Sequence, residues 1–375
     1  MPLQLVSPVT FQRILRACKS LFSLLLAHMF SCFAPSQIVI SFGDLDGNFV
    51  DANRFAEHDA DGRVVGLRFP TAGIWIGNHQ IYTDWVYMWV LSVYAHLEGD
   101  FYIILKESLR KIPVLGYFMG LFNFIFLSRQ WKQDKVRMRE TLGAILATGT
   151  SKMALLMYPE GTNMSKNTIR KSQTYAQTHH KPVLQNVLLP HTTGLYFCAK
   201  SLQNEIANPY LLDFTIAYEG VEPGAHAYDY HSITSQLFAG VSPPEVHIHC
   251  DFVPLSTDQQ PLTSPLASCP PLISALQPDD EMNAADRQAF EDWLINRWSK
   301  KDRMIARYYR DGDLVHGEKH ARSQNRRSSD VFLELSLKPP SALHEAKRFL
   351  LVPFACLLAY GYYRLGRFLF CSLRT

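Results

Sequence analysis

The sequence is short of charge. Asp, Glu, Lys and Arg make up only 19% of its 375 residues, against 47% apolar, which is low for a soluble enzyme. The formal net charge of +3 is too small to argue for a nucleic-acid partner, and no basic run stands out beyond Arg322–Arg327. Cysteines are few and scattered: Cys18, Cys32, Cys198, Cys250, Cys269, Cys356 and Cys371. Their odd number and the lack of a CxxC pair argue against a disulfide framework and against a zinc site, and fit a reducing or mixed environment. No Gly-x-Ser-x-Gly elbow suggests a serine nucleophile, and no internal repeat suggests a solenoid.

Aromatic residues are abundant at 12%, a usage common at membrane interfaces. Leu21 to Phe42 carries no charged residue, with Arg13, Arg16 and Lys19 before it and Asp44 and Asp46 after it. Ser31-Cys32-Phe33-Ala34 is a poor cleavage site, so a signal peptide is disfavoured. Pro35 interrupts the run and leaves a helical part of roughly 14 residues, about 21 Å long. That is short for the ~30 Å hydrocarbon core. A span requires the helix to continue past Pro35; an interfacial or re-entrant anchor and a buried core helix are the alternatives. A second apolar segment, Phe349 to Phe370, is nearly uninterrupted from Leu350 to Tyr363, and Arg364 and Arg367 are placed to snorkel. A third, Ile112 to Leu127, contains Pro113, Gly116 and Gly120 and reads as a hydrophobic face of the folded domain.

Between these segments, short apolar runs alternate with helical patterns. Ala72–Gly77, Tyr102–Leu105, Met153–Met157, Val187–Leu189 and Phe214–Tyr218 read as strands. Asp84–Leu97, Met138–Ala147 and Ala284–Arg310 read as helices. The pattern predicts an α/β fold, a mixed sheet flanked by helices, with membrane-associated N-terminal and C-terminal segments. The expected organisation is an anchor region over 1–45, a main domain over 70–315 with a flexible insertion at 254–283, a linker over 316–345 and a membrane segment over 346–375.

Four motifs follow such runs, where loops at strand ends collect functional groups. The first is Asn78-His79-Gln80-Ile81-Tyr82-Thr83-Asp84. Five residues of regular helix would turn the His and Asp about 140° apart. They meet only if His79 lies in the turn before a helix and Asp84 in its first turn. An Asp bonded to one ring nitrogen then leaves the other as a base; taken alone, the spacing favours a capping Asp and a surface His. The second is Leu127-Ser128-Arg129, after a long apolar stretch. The third, Tyr158-Pro159-Glu160-Gly161-Thr162, makes a tight turn that presents an acid and backbone N–H groups. The fourth is Leu189-Pro190-His191-Thr192-Thr193-Gly194. Each is unremarkable alone; their order makes them jointly specific.

Taken together, these runs resemble the four ordered motifs of the PlsC-type glycerolipid acyltransferase family, and Lys106, Pro113 and Gly116 match its Lys…Pro-x-x-Gly segment. Asn78–Trp85 and Phe122–Asp134 are similar to the branch of fungal phosphatidylinositol and lysocardiolipin acyltransferases. The likeness covers about residues 70–310 and makes 70–315 an acyltransferase domain. It implies an acyl-CoA-dependent O-acyltransferase of phospholipid synthesis or remodelling, bound to a bilayer such as the endoplasmic reticulum. The acceptor would be an anionic lysophospholipid, lysophosphatidylinositol or a relative, with 1-acylglycerol-3-phosphate as the alternative and a membrane hydrolase as a further one. By the same likeness His79 is the general base and Asp84 its orienting partner. Arg129 holds the acceptor phosphate, Glu160, Gly161 and Thr162 bind its glycerol or phosphate portion, and Pro190 shapes the acyl-CoA pocket. No metal or cofactor is implied; acyl-CoA is a co-substrate. Two positions depart from the pattern: Tyr158 where Phe is usual, and His191 where this branch usually carries Arg.

Overall fold

The computed structural model describes residues 8–113, 115–148, 150–256, 259, 262–263, 269–271, 284–318 and 330–337. In chain order the elements begin with α1 (Pro8–Phe33), β1 (Gln37–Gly43), β2 (Phe49–Val50), β3 (Ala56–His58), β4 (Val64–Leu67), β5 (Ala72–Gly77), α2 (Asp84–Tyr94), β6 (Phe101–Lys106) and α3 (Leu115–Leu121). Next come β7 (Ile125–Leu127), α4 (Trp131–Leu146), β8 (Met153–Met157), α5 (Lys166–Thr178), α6 (Thr193–Glu205) and β9 (Tyr210–Tyr218). The last are α7 (Ala227–Tyr230), α8 (Ile233–Phe238), β10 (Glu245–Pro254), α9 (Ala284–Asp311) and β11 (Phe332–Ser336).

Among the described residues nine strands form one sheet in the order β11-β1-β10-β9-β5-β8-β6-β7, with β2 paired to β1. From β9 to β7 every pairing is parallel. β10 against β9 and β11 against β1 are antiparallel, so the sheet is mixed, as the alternation of runs predicts. Every residue of β5 and of β8 is buried, which is why both read as continuous apolar runs: a parallel strand covered on both faces has no polar side to alternate with. Because β5 and β8 are adjacent and parallel, with Ile76 opposite Met157, the loops that follow them leave side by side. That register places the first and third motifs together.

Three expectations need correction. The domain is wider than 70–315: β1 pairs with β10 and β11 inside the sheet, so residues 37–43 of the expected anchor region and 332–336 of the expected linker are core. The apolar strand β1 continues the run of α1, and composition alone cannot separate a sheet strand from an anchor. Second, α1 begins at Pro8, so Arg13, Arg16 and Lys19 lie within the helix and not ahead of it. Two of them pin it to the domain: Lys19 is buried, its Nζ 3.1 Å from the Phe101 carbonyl, and Arg16 pairs with Asp100 at 2.8 Å. The opposite face exposes Leu25, Met29 and Phe33, spaced by four as one helical stripe. By length and composition Thr10–Phe33 is long and apolar enough to cross a membrane. Third, Val187–Leu189 is not a strand. It is loop between α5 and α6, with Val187 and Leu188 buried as plugs; three apolar residues carry no period that distinguishes the two cases.

The insertion at 254–283 is only partly described, and Thr263 within it is anchored, its hydroxyl 2.6 Å from Asp251 Oδ1. The expected membrane segment at 346–375 lies outside the described residues.

Candidate active site

At the end of β5 the Asn78 side chain, fully buried, donates to the Ile216 carbonyl at 2.9 Å and accepts from the Ile216 N–H at 2.8 Å. This two-way bond to β9 fixes how the chain leaves the sheet. The next residue, His79, stands in the turn before α2, and Asp84 is the first residue of that helix, as the spacing requires. His79 Nδ1 lies 2.8 Å from Asp84 Oδ2. The same oxygen accepts the backbone N–H groups of Gln80 at 2.6 Å and Ile81 at 3.1 Å, so the loop before α2 wraps around this carboxyl. The other oxygen accepts the Tyr218 hydroxyl. Asp84 is wholly buried while the His79 side chain is 18% exposed. The imidazole stacks on the Tyr158 ring, centroids 4.2 Å apart and planes 17° apart. With Nδ1 bonded to the carboxylate, Nε2 is the nitrogen left to accept a proton.

The third motif turns sharply after β8. The Gly161 N–H closes the turn on the Tyr158 carbonyl at 2.9 Å, and Gly161 has φ +69, a conformation that favours glycine. Arg129 also has a positive φ, +66, held by the preceding residue: the N–H and hydroxyl of Ser128 donate to Asp134 Oδ1 at 2.7 and 2.8 Å. From this turn the Arg129 guanidinium reaches back across the sheet edge and donates to the Gly161 carbonyl at 2.9 Å. His191 packs on the same glycine; a Cβ there would come within 3.3 Å of His191 Cδ2. The His191 N–H donates to the Pro159 carbonyl at 2.8 Å, tying the third and fourth motifs together. Burial, then the charge of Arg129, hold the His191 imidazole below its usual range. Arg129, Gly161 and His191 therefore form one exposed rim beside His79, and Arg129 keeps most of its five donors open.

One expected residue is placed differently. Glu160 does not present its carboxyl to the rim. It is 3% exposed and accepts a hydrogen bond from Trp298 Nε1 at 3.1 Å. Burial pushes it up to about 8, against the Trp298 hydrogen bond, the backbone N–H groups of His79 and Leu188 and the charge of Lys301. Pro190 is buried at the junction of the two loops. Thr162 is half-buried. At the neighbouring strand end, Lys106 is exposed at the close of β6, and Gly116 lies where a Cβ would meet the Arg110 carbonyl at 2.2 Å.

Behind the site, α9 supplies a brace that the motifs do not reveal. Arg297 bonds Asp213 at 2.6 Å and Asp251 at 2.7 Å. Lys301 bonds Asp213 at 2.5 Å and the Phe214 carbonyl at 2.6 Å. Trp298, between them on the helix, holds Glu160. The signal was present: Arg297 and Lys301 fall on the apolar stripe of α9, and Asp213 and Asp251 interrupt apolar strands. A charge on a buried face demands a partner.

Comparison with known proteins gives this site a class. A family model described as Acyltransferase matches residues 64–218, from β4 to the last residue of β9. The chain belongs to this acyltransferase family and is an acyltransferase. It is 31% identical over 333 residues to the 2-acyl-1-lysophosphatidylinositol acyltransferase of Saccharomyces cerevisiae, covering 80% of this chain and 76% of that one. It is 30% identical over 306 residues to an acyltransferase of Schizosaccharomyces pombe, covering 81% and 77%. Lysocardiolipin acyltransferase 1 of Danio rerio is 30% identical over 250 residues, which cover 66% of this chain and 54% of that protein.

Proposed function

We propose that this acyltransferase moves a fatty acyl group from acyl-CoA to a hydroxyl of an anionic lysophospholipid, lysophosphatidylinositol or a close relative, in phospholipid synthesis or remodelling. The observation that carries the reading is the 2.8 Å bond between His79 Nδ1 and the buried Asp84, which leaves Nε2 as the nitrogen free to take a proton. His79 Nε2 takes the proton of the acceptor hydroxyl as its oxygen attacks the thioester carbonyl carbon. The tetrahedral intermediate collapses with cleavage of the C–S bond, and the departing thiolate receives that proton from the imidazolium. The ester and free thiol are the products. Asp84 fixes the tautomer and stabilises the imidazolium. A thioester is already an activated donor, so the scheme invokes no cofactor. Arg129 binds the acceptor phosphate, and the turn at Gly161 and Thr162 carries backbone groups toward it. Glu160 supports that turn from inside, and Pro190 shapes the wall on the acyl-donor side.

The relatives named above and the rim support this choice of acceptor. Arg129 selects for phosphate and not for what lies beyond it. A phosphate monoester carries nearly two charges at neutral pH and a diester one. Where this branch usually has a second arginine the chain has His191, kept below its usual range and therefore neutral at pH 7. Loss of that cation weakens the monoester more. A Probable 1-acyl-sn-glycerol-3-phosphate acyltransferase of Arabidopsis thaliana is also similar, 29% identical over 237 residues, and makes lysophosphatidic acid the second candidate. The test is an acceptor panel with labelled acyl-CoA and membranes carrying the full chain. Lysophosphatidylinositol is expected to exceed lysophosphatidic acid in kcat/KM, and His191→Arg to narrow the gap about fivefold, the equivalent of ~1 kcal/mol. Preference for lysophosphatidic acid overturns the acceptor; free fatty acid released at full rate without acceptor overturns the transfer.

The enzyme is read as membrane-bound, at the endoplasmic reticulum, through the exposed stripe of α1 and the apolar C-terminal segment. The exposed Ile112, Leu115, Tyr117 and Phe118 around α3 add a hydrophobic face near the same strand ends. Full-length protein is expected in the pellet after carbonate washing, and its recovery in the supernatant contradicts the reading.

A further inference from the structure

Asp84 uses its two oxygens unequally. Oδ2 serves its own loop, taking the His79 imidazole and two backbone N–H groups. Oδ1 is held from elsewhere in the chain, by the hydroxyl of Tyr218, 134 residues further on at the end of β9. Asp84 and Tyr218 are both at 0% exposure, so no solvent can replace this bond. A phenol beside a carboxylate has one proton to give and a full acceptor to receive it. Burial, then the Asp84 charge, raise the Tyr218 phenol well above its usual range, so it remains a donor throughout the working pH range.

We propose that Tyr218 is a positioning residue that sets the basicity of His79 by drawing negative charge out of Asp84 through Oδ1. The inference rests on His79 being the base. A carboxylate that shares its charge with a strong donor attracts the imidazolium less; without the donor it attracts it more, and His79 holds its proton to higher pH. Other groups face the pair. Tyr87 from α2 has its ring 6.2 Å from that of Tyr218. Tyr158 stacks on His79, and Glu160 lies beneath the His79 backbone. Tyr309 from α9 senses the Asp84 charge, and His231 lies 6.1 Å from the Tyr218 ring. Among the described residues only Tyr218 places a side-chain hydroxyl on the carboxylate; Tyr87 turns its own toward Ser36, and that of Tyr158 is buried without a partner. The end of β9 is thus part of the site although no motif falls there.

The test is the pH dependence of kcat in membranes carrying the full chain. Tyr218→Phe keeps the ring and removes the donor. Its acidic limb is expected to move up by about one unit, the size of one hydrogen bond to a charged group, with kcat reduced by up to about tenfold on the acid side of the limb and acceptor KM within about twofold. A fluorotyrosine at 218 has the size of the native side chain and is a stronger donor, so its limb is expected to move down. A purely structural tyrosine would lower the amount of folded enzyme and leave both limbs in place. His79→Ala runs alongside. If it stays active, the base assignment fails; if it is inactive while neither Tyr218 variant shifts the limb, only the role of Tyr218 fails. Should Tyr218→Phe not accumulate, the fluorotyrosine enzyme decides alone, and an unmoved limb overturns the proposal.

Discussion

Around Asp84 the structure leaves little freedom. Both carboxylate oxygens are bonded, the imidazole is clamped between Asp84 and the Tyr158 ring, and Asn78 ties the loop to β9 in both directions. Around Arg129 the reverse holds. The guanidinium is exposed, has one hydrogen bond to the Gly161 carbonyl, and stands on a residue of positive φ. Nearby His191 meets the same glycine through a van der Waals contact. The first region is positioned by the core, the second by two turns. Proton transfer needs a geometry held within a fraction of an ångström, whereas a phosphate can be met by a flexible cation at the surface. The proposed function puts chemistry in the first region and acceptor binding in the second.

The sharpest way to break that contrast is at the base. His79→Ala is expected to lower kcat about a thousandfold at unchanged protein level, and Asp84→Asn by a comparable factor through the wrong tautomer. Initial rates normalised to immunodetected protein check this. Next in size is the brace behind the chemical region. Arg297→Ala leaves the buried Asp251 without a cation and Asp213 with Lys301 alone, and is expected to cost ~3 kcal/mol of stability, read as a lowered midpoint in detergent. An unchanged midpoint would mean that the network does not support the site.

How far the sequence revealed these two regions depends on how local their signals are. β5, β8 and α2 were legible because apolar runs ended at Asn78, Pro159 and the Asp84 helix start. The meeting of His79 and Asp84 was legible because it needs only a turn of five residues. The rim was legible only through motif order, since a single arginine after an apolar stretch says nothing about the Gly161 carbonyl it will reach. Tyr218 reads as one more core aromatic at a strand end; its hydroxyl matters only once parallel β5 and β9 are in register. The partners of Arg297 and Lys301 lie on β9 and β10, too far along the chain for pattern to pair them. Glu160 looked like a surface acid because a Pro-Glu-Gly turn usually is exposed, whereas packing of α9 against β9 turned its carboxyl inward.

At the rim the effect should be smaller and of another kind. Arg129→Ala is expected to raise acceptor KM roughly 10–100-fold, the range for one or two charge-assisted hydrogen bonds, with kcat nearly unchanged. The smallest effect is expected at Glu160. Its pKa in the folded protein, raised to about 8, means that the native state keeps a proton the unfolded chain releases near its ordinary value. Wild-type stability is therefore lost as pH rises through that window up to about 8. Glu160→Gln should be the more stable protein, with a Tm advantage that widens from pH 5 toward pH 8 by a few degrees (roughly) and near-normal kcat. A collapse of kcat in Glu160→Gln at unchanged Tm would instead place this carboxyl among the reacting groups.

The division between the two regions is tested most directly by measuring kcat and acceptor KM for His79→Ala and Arg129→Ala side by side, in the same membranes and with lysophosphatidylinositol as acceptor. The account predicts that His79→Ala loses about three orders of magnitude in kcat, while Arg129→Ala loses its efficiency almost wholly through KM. Near-normal kcat in His79→Ala would contradict it.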